Sequence, residues 1–154
     1  CDKHIPVQFV RDLDKIHFGD RHVVVREAPG HTNHHLVFVM DDQSMLLSGC
    51  SLYIGNCGRT DFQGGSTEQM YHAIMDKMYT LPDDCILYPG HNYDGNLYST
   101  IGEEKKNNRR IPADQTLEGF KHIMDNLNLP HPKKIDISVP ANIIGGWPVH
   151  NTEN

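Results

Sequence analysis

Apolar positions fall into short strand-like runs in the first half of the chain and into helical stripes in the second. Ile16 to Phe18 forms a short strand before a Gly19-Asp20 turn, and His22 to Glu27 carries Val23-Val24-Val25, a β-branched run suited to a strand. Leu36 to Met40 is apolar at every position. Asp41-Asp42-Gln43 turns the chain and Met45-Leu46-Leu47 brings it back, which predicts a hairpin whose strands are buried on both faces. Gly55 to Gly65 reads as a glycine-bearing loop. Ser66 with Gln69 makes a capping-box pattern, and Met70, Ile74 and Met78 follow at i, i+4 and i+8, a core-facing stripe with Tyr71 and Met75 beside it. Cys85 to Tyr88 is a short buried strand that stops at Pro89-Gly90. A charged helix is predicted over 99–108. Another over 116–126 places Leu117, Phe120, Ile123, Met124 and Leu127 on one side. The tail from Pro130 reads as irregular apart from Ile135 to Val139. Strands followed by alternating helix and strand define an α/β layered architecture, in which ligands gather at loops beyond strand ends.

Composition narrows this picture. The 154 residues allow one domain with a substantial core, and 38% hydrophobic with 22% charged residues fits a soluble globular fold. A net charge of −6 attracts neither nucleic acid nor acidic lipid, and no apolar run is long enough to span a bilayer. The chain opens on Cys1 rather than Met, with no signal peptide or basic presequence. That start implies either processing or origin within a longer protein. Cys1, Cys50, Cys57 and Cys85 show no paired spacing, which suits a reducing compartment. Most of the eleven histidines lie among polar residues and read as surface side chains.

The candidate chemistry sits at four turns. In Pro29-Gly30-His31-Thr32 a tight turn aims His31 out of a strand end, where its imidazole either ligates Fe or Zn or hydrogen-bonds the backbone. His34 and His35 are read as the start of the next strand. Cys50, in Ser48-Gly49-Cys50-Ser51, is either a metal-binding thiolate or an inert thiol. Cys57 suggests zinc with His31 and His91, although its spacing from Cys50 is unusual for a zinc site. Arg59 can grip a carboxylate bidentately, and Asp61 either pairs with it or fixes the loop. His91, after Pro89-Gly90, repeats the setting of His31. Tyr93 adds a phenol that can donate to a substrate.

Four segments together resemble the persulfide dioxygenases, a branch of the metallo-β-lactamase and glyoxalase II superfamily. They are Cys57-Gly58-Arg59-Thr60-Asp61-Phe62-Gln63, Tyr88-Pro89-x-His91-x-Tyr93, Asn126-Leu127-Asn128-Leu129-Pro130 and Val139-Pro140-Ala141-Asn142. The resemblance implies an αββα sandwich of which residues 1–154 form the second half, one incomplete domain. It also implies mononuclear iron(II), with zinc as the alternative, and oxidation of glutathione persulfide by O2 to sulfite and glutathione. The expected location is the mitochondrial matrix or bacterial cytoplasm. In the family, iron is held by two histidines and one carboxylate. His31 matches the second histidine ligand, and His91 matches a second-metal ligand of the glyoxalase II relatives. Arg59 and Tyr93 match positions near glutathione, with Asp61 and Asn92 behind them.

Departures from the pattern are as informative. Cys50 stands in place of the aspartate ligand, Asn92 replaces an aspartate, and the H-x-H-x-D-H motif does not occur. The chain by itself is therefore expected to be inactive and to need its missing half or a second protein chain. A non-catalytic structural or interaction protein on the same scaffold is the alternative. A glyoxalase II-type thioester hydrolase with two zinc ions ranks third.

Overall fold

Six strands hydrogen-bond side by side, from one edge to the other, into one sheet. They are β1 (Lys15–Phe18), β2 (Arg21–Glu27), β3 (Leu36–Met40), β4 (Met45–Gly49), β7 (Ile86–Pro89) and β8 (Ser99–Thr100). The computed structural model describes residues 8–92 and 95–143. Neighbouring strands are antiparallel except β4 and β7, which run parallel with Leu46 opposite Leu87 and Gly49 opposite Pro89. Parallel neighbours need a long crossover. Here it consists of a small hairpin, β5 (Leu52–Tyr53) with β6 (Asn56–Cys57), followed by a helix. The loop predicted over 55–65 thus begins with a strand.

That helix, α1 (Thr67–His72), continues as a π-helical stretch over Ala73–Met78. Ser66 caps it as predicted, its Oγ accepting from the Gln69 N–H at 3.3 Å. The reciprocal half of the capping box is taken by another partner: the Ser66 N–H donates to the Gly30 carbonyl at 2.8 Å. This fastens the start of α1 to the turn that carries His31. Met70, Ile74 and Met78 are all fully buried, as their spacing requires.

The two sheet faces differ, which corrects the expectation of strands buried on both. Val37, Val39, Leu46 and Leu87 are buried on one face. Arg26, paired with Val37 on that face, donates to the Lys77 carbonyl near the end of the helix. On the other face Val25, Phe38, Leu47 and Tyr88 form a cross-strand row by register; Val25 is fully buried, Phe38 and Tyr88 are half-buried and Leu47 is 42% exposed. The run is apolar at every position because both faces carry apolar side chains.

The helix predicted from 99 starts later. Ser99 and Thr100 form β8, and α2 covers Ile101–Asn107 with Thr100 as N-cap. Glu104 of α2 is buried, accepting from Ser99 Oγ (2.6 Å), the Gly55 N–H (2.8 Å) and Asn108 Nδ2 (2.7 Å). A buried carboxylate is tolerable only when its oxygens are so occupied, and this one ties the β5–β6 turn to α2. Thr116 caps α3 (Leu117–Asp125), which buries Phe120 and Met124. These elements belong to a unit spanning Val10–Asn126. Residues from Leu127 fall in a second unit, where α4 (Ile135–Ile143) occupies the stretch read as partly irregular.

Candidate functional site

The sheet register brings the candidate turns to one end. The end of β2 and start of β3 (Glu27 opposite Leu36) lie at the same edge as the ends of β4 and β7. His31, Cys50 and His91 follow from three of these strand ends. Gly90 N–H donates to the Gly49 carbonyl at 2.7 Å, so the two loops leave the sheet locked together.

His31 is half-buried, and its Nδ1 lies 2.7 Å from the Arg59 carbonyl. A carbonyl only accepts, so Nδ1 carries the proton and Nε2 is left for other contacts. The ring hydrogen-bonds Cys50, which raises the His31 pKa despite its burial. Gly30, at φ +146°, is needed for this placement. A Cβ there would lie 2.5 Å from the backbone Cα of Met70.

Cys50 is half-buried and multiply partnered. Its thiol hydrogen-bonds His31 and Tyr53, and Sγ is 3.5 Å from His91 Nδ1. The His31 hydrogen bond leads in drawing its pKa down to about 7, against the opposing effect of burial. Its backbone N–H donates to His35 Nε2 at 3.0 Å. His35 must then carry its proton on Nδ1, and the Ser48 backbone also hydrogen-bonds the ring. Burial, then the charge on His31, lowers the His35 pKa and keeps it neutral. His35 was read only as the start of a strand. Its signal lay in Gly49, at φ +56°, where a Cβ would sit 2.6 Å from the His35 ring. Glycine and imidazole fit one another there.

His91 is exposed and meets Tyr53 edge-on, with ring centroids 6.0 Å apart. The Arg59 guanidinium binds both Asp61 oxygens at 2.7 Å and lies 4.3 Å from the centre of the Phe62 ring. Asn92 donates to the Asn96 carbonyl. Tyr93 lies outside the described residues. Cys57 is not at the site: it is 1% exposed, its Sγ faces Met124 Sδ at 3.9 Å, and burial pushes its thiol up to about 11. The zinc reading for Cys57 is thereby corrected; an apolar strand position holds it in the core.

His31 and His91 therefore both contact Cys50, but the three do not make a cation cage. Among the described residues no three His, Cys, Asp or Glu side chains converge closely enough to hold a metal ion. The Cys50 thiol sits at hydrogen-bonding distance from His91 Nδ1.

Comparison with known proteins places this arrangement. The Metallo-beta-lactamase superfamily profile matches residues 4–91, and the chain belongs to that superfamily. Within it, the chain is similar to persulfide dioxygenase ETHE1, mitochondrial, from Mus musculus, at 47% identity over 130 residues. The alignment covers 84% of this chain and 50% of the relative. The protein of the same name from Homo sapiens is 46% identical over 134 residues, covering 87% and 52%. The crystal structure of ETHE1 from Myxococcus xanthus superposes with a TM-score of 0.85 at 40% identity, covering 90% of this chain and 60% of that one. The chain thus spans about half the length of the curated relatives it matches.

Proposed function

We propose that this chain is the glutathione-side half of a persulfide dioxygenase, whose reaction converts glutathione persulfide and O2 to sulfite and glutathione. The supporting observation is identity of 46–47% to proteins of that name across 84–87% of this chain, with the site turns inside the aligned fold. Arg59, steadied by Asp61 and Phe62, offers a cation to a glutathione carboxylate, which Asp61 stands in for until substrate arrives. Tyr93 is assigned the neighbouring contact from its sequence position. Where the protein is eukaryotic, the mitochondrial name of the relatives supports a matrix location; a bacterial one would be cytoplasmic. No helix among the described residues is long and apolar enough to cross a membrane.

Iron(II) or zinc is the group that the family implies, and iron would supply O2 activation. The described residues do not by themselves fit it. A three-donor face needs two imidazoles and a carboxylate, whereas His31 and His91 flank a thiol and no three donors converge. In this proposal His31 is one donor and a companion half, on the same or a second chain, brings the remaining ones. The Phe38–Leu47–Tyr88 face is assigned to that companion, since packed sheets bury such rows. Sulfite released from glutathione persulfide in air, with and without the N-terminal half of a relative, tests the proposal. Turnover is expected only with both parts present. Robust turnover by this chain alone, or none with both, overturns it.

A second reading, a scaffold without catalysis, is favoured by Cys50 and Asn92 standing where acids are expected. Stoichiometric iron in protein purified from its native source argues against it. A two-zinc thioester hydrolase ranks last, because it needs a bridging carboxylate where Cys50 stands.

A further inference from the structure

Among the described residues cysteine is used in two ways. Cys57 and Cys85 are 1% and 0% exposed and behave as small apolar residues of the core. Cys50 is placed differently. Its thiol lies half-exposed at a strand end, between the His31 and His91 imidazoles, with Tyr53 as a third partner. Its backbone is held by His35, and His35 is held by Ser48. A thiol within hydrogen-bonding reach of an imidazole base is how nucleophilic cysteines are activated. Here His91 Nδ1 lies 3.5 Å from the Cys50 thiol, and Tyr53 meets the His91 ring edge-on.

We infer that Cys50 is a nucleophilic thiol that accepts the outer sulfur of a low-molecular-weight persulfide, becoming a protein persulfide. The choice of substrate class rests on the persulfide reading above; the nucleophile itself rests on the geometry. His91 Nδ1, 3.5 Å from Sγ, takes the Cys50 proton. Sγ attacks the outer sulfur of R–S–SH, an Sγ–S bond forms and the donor S–S bond breaks. The electron pair leaves on R–S⁻, which collects the proton from the imidazole. Cys50–SH and R–S–SH become Cys50–S–SH and R–SH, so sulfur moves without net oxidation and no metal or O2 is consumed. His91, exposed and 3.5 Å from Sγ, is placed to protonate the departing thiolate as well. Where a carboxylate would serve a metal, this chain carries a sulfur acceptor.

The test is anaerobic and metal-free. The full chain is incubated with glutathione persulfide, persulfides are capped with a selective alkylating tag, and the peptides are read by mass spectrometry. Addition of one sulfur atom to Cys50, with release of one glutathione per chain, is expected. Cys50→Ser should abolish both. His91→Gln should slow the transfer by roughly tenfold or more, the low end of the range for a lost general acid–base group being about 100-fold and His31 remaining to share the role. Circular dichroism checks that both variants are folded. An unmodified Cys50, or labelling spread equally over Cys57 and Cys85, overturns the inference. Sulfite formation in air with the companion half reports separately on the dioxygenase reading, so either can fail while the other stands.

Discussion

At the scale of single residues, the site depends on close approaches that leave no room for a side chain. Gly30→Ala would drive a methyl group to within 2.5 Å of Met70 Cα while forcing an L residue to φ +146°. We expect a loss of roughly 1–3 kcal/mol, the usual range for a strained backbone position, measured by urea denaturation. The same change displaces His31 from Cys50. Cysteine accessibility gives a second prediction. Iodoacetamide on the native chain should label Cys50 within minutes and spare Cys57 and Cys85 until urea is added. The sequence already named His31, Cys50 and His91, because tight turns at strand ends announce themselves. It did not reveal His35, whose importance lies in the partner of its ring rather than in its neighbours along the chain. Glu104 was hidden similarly: amid the charges of α2 it reads as a surface residue, yet three donors hold it in the interior.

At the scale of elements, capping and turn chemistry set boundaries that periodicity leaves loose. Ser66 caps α1 through Gln69, so Ser66→Ala should lower stability by about 1 kcal/mol, read as a fall in the urea midpoint. The β3–β4 turn has an acid-sensitive lock. Hydrogen bonds from Ser44, then Arg21, hold the Asp42 carboxyl down at about 2, and Arg21 also lowers Asp41. A depressed carboxylate stabilises the fold fully above its ordinary value of 3.8, and that contribution is lost as the pH falls toward 2. Asp42→Asn should therefore melt below the parent protein at neutral pH, with the gap closing by about pH 2. Strands β2 to β4 and β7 and helices α1 and α3 were legible because their apolar runs match one period each. The start of α2 was not, because Ser99 and Thr100 pair with β7 across the sheet, a tertiary demand that local pattern does not carry.

At the scale of the whole molecule, the two faces of the sheet decide behaviour in solution. An αβ layer was legible from element order, but the half-exposed Phe38–Leu47–Tyr88 row was not. An uninterrupted apolar strand gives the same pattern whether its second face is covered or bare. Contiguous apolar surface left exposed promotes association. The chain alone should sediment above monomer mass, and Leu47→Lys, at a position already 42% exposed, should shift it toward monomer while the far-ultraviolet spectrum is unchanged. A strictly monomeric parent chain would contradict this.

The parallel pairing of β4 with β7 also bears on how the molecule matures. Sγ of Cys50 and the ring of His91 are 41 positions apart in the chain, and they meet only after a long intervening segment has closed, an entropic step that local hairpins precede. During synthesis the thiol would emerge, and its first imidazole partners would gather, before the strand leading to His91 had been made. Completion of folding and completion of the thiol's surroundings are then one event, and a tag on Cys50 becomes a clock for it.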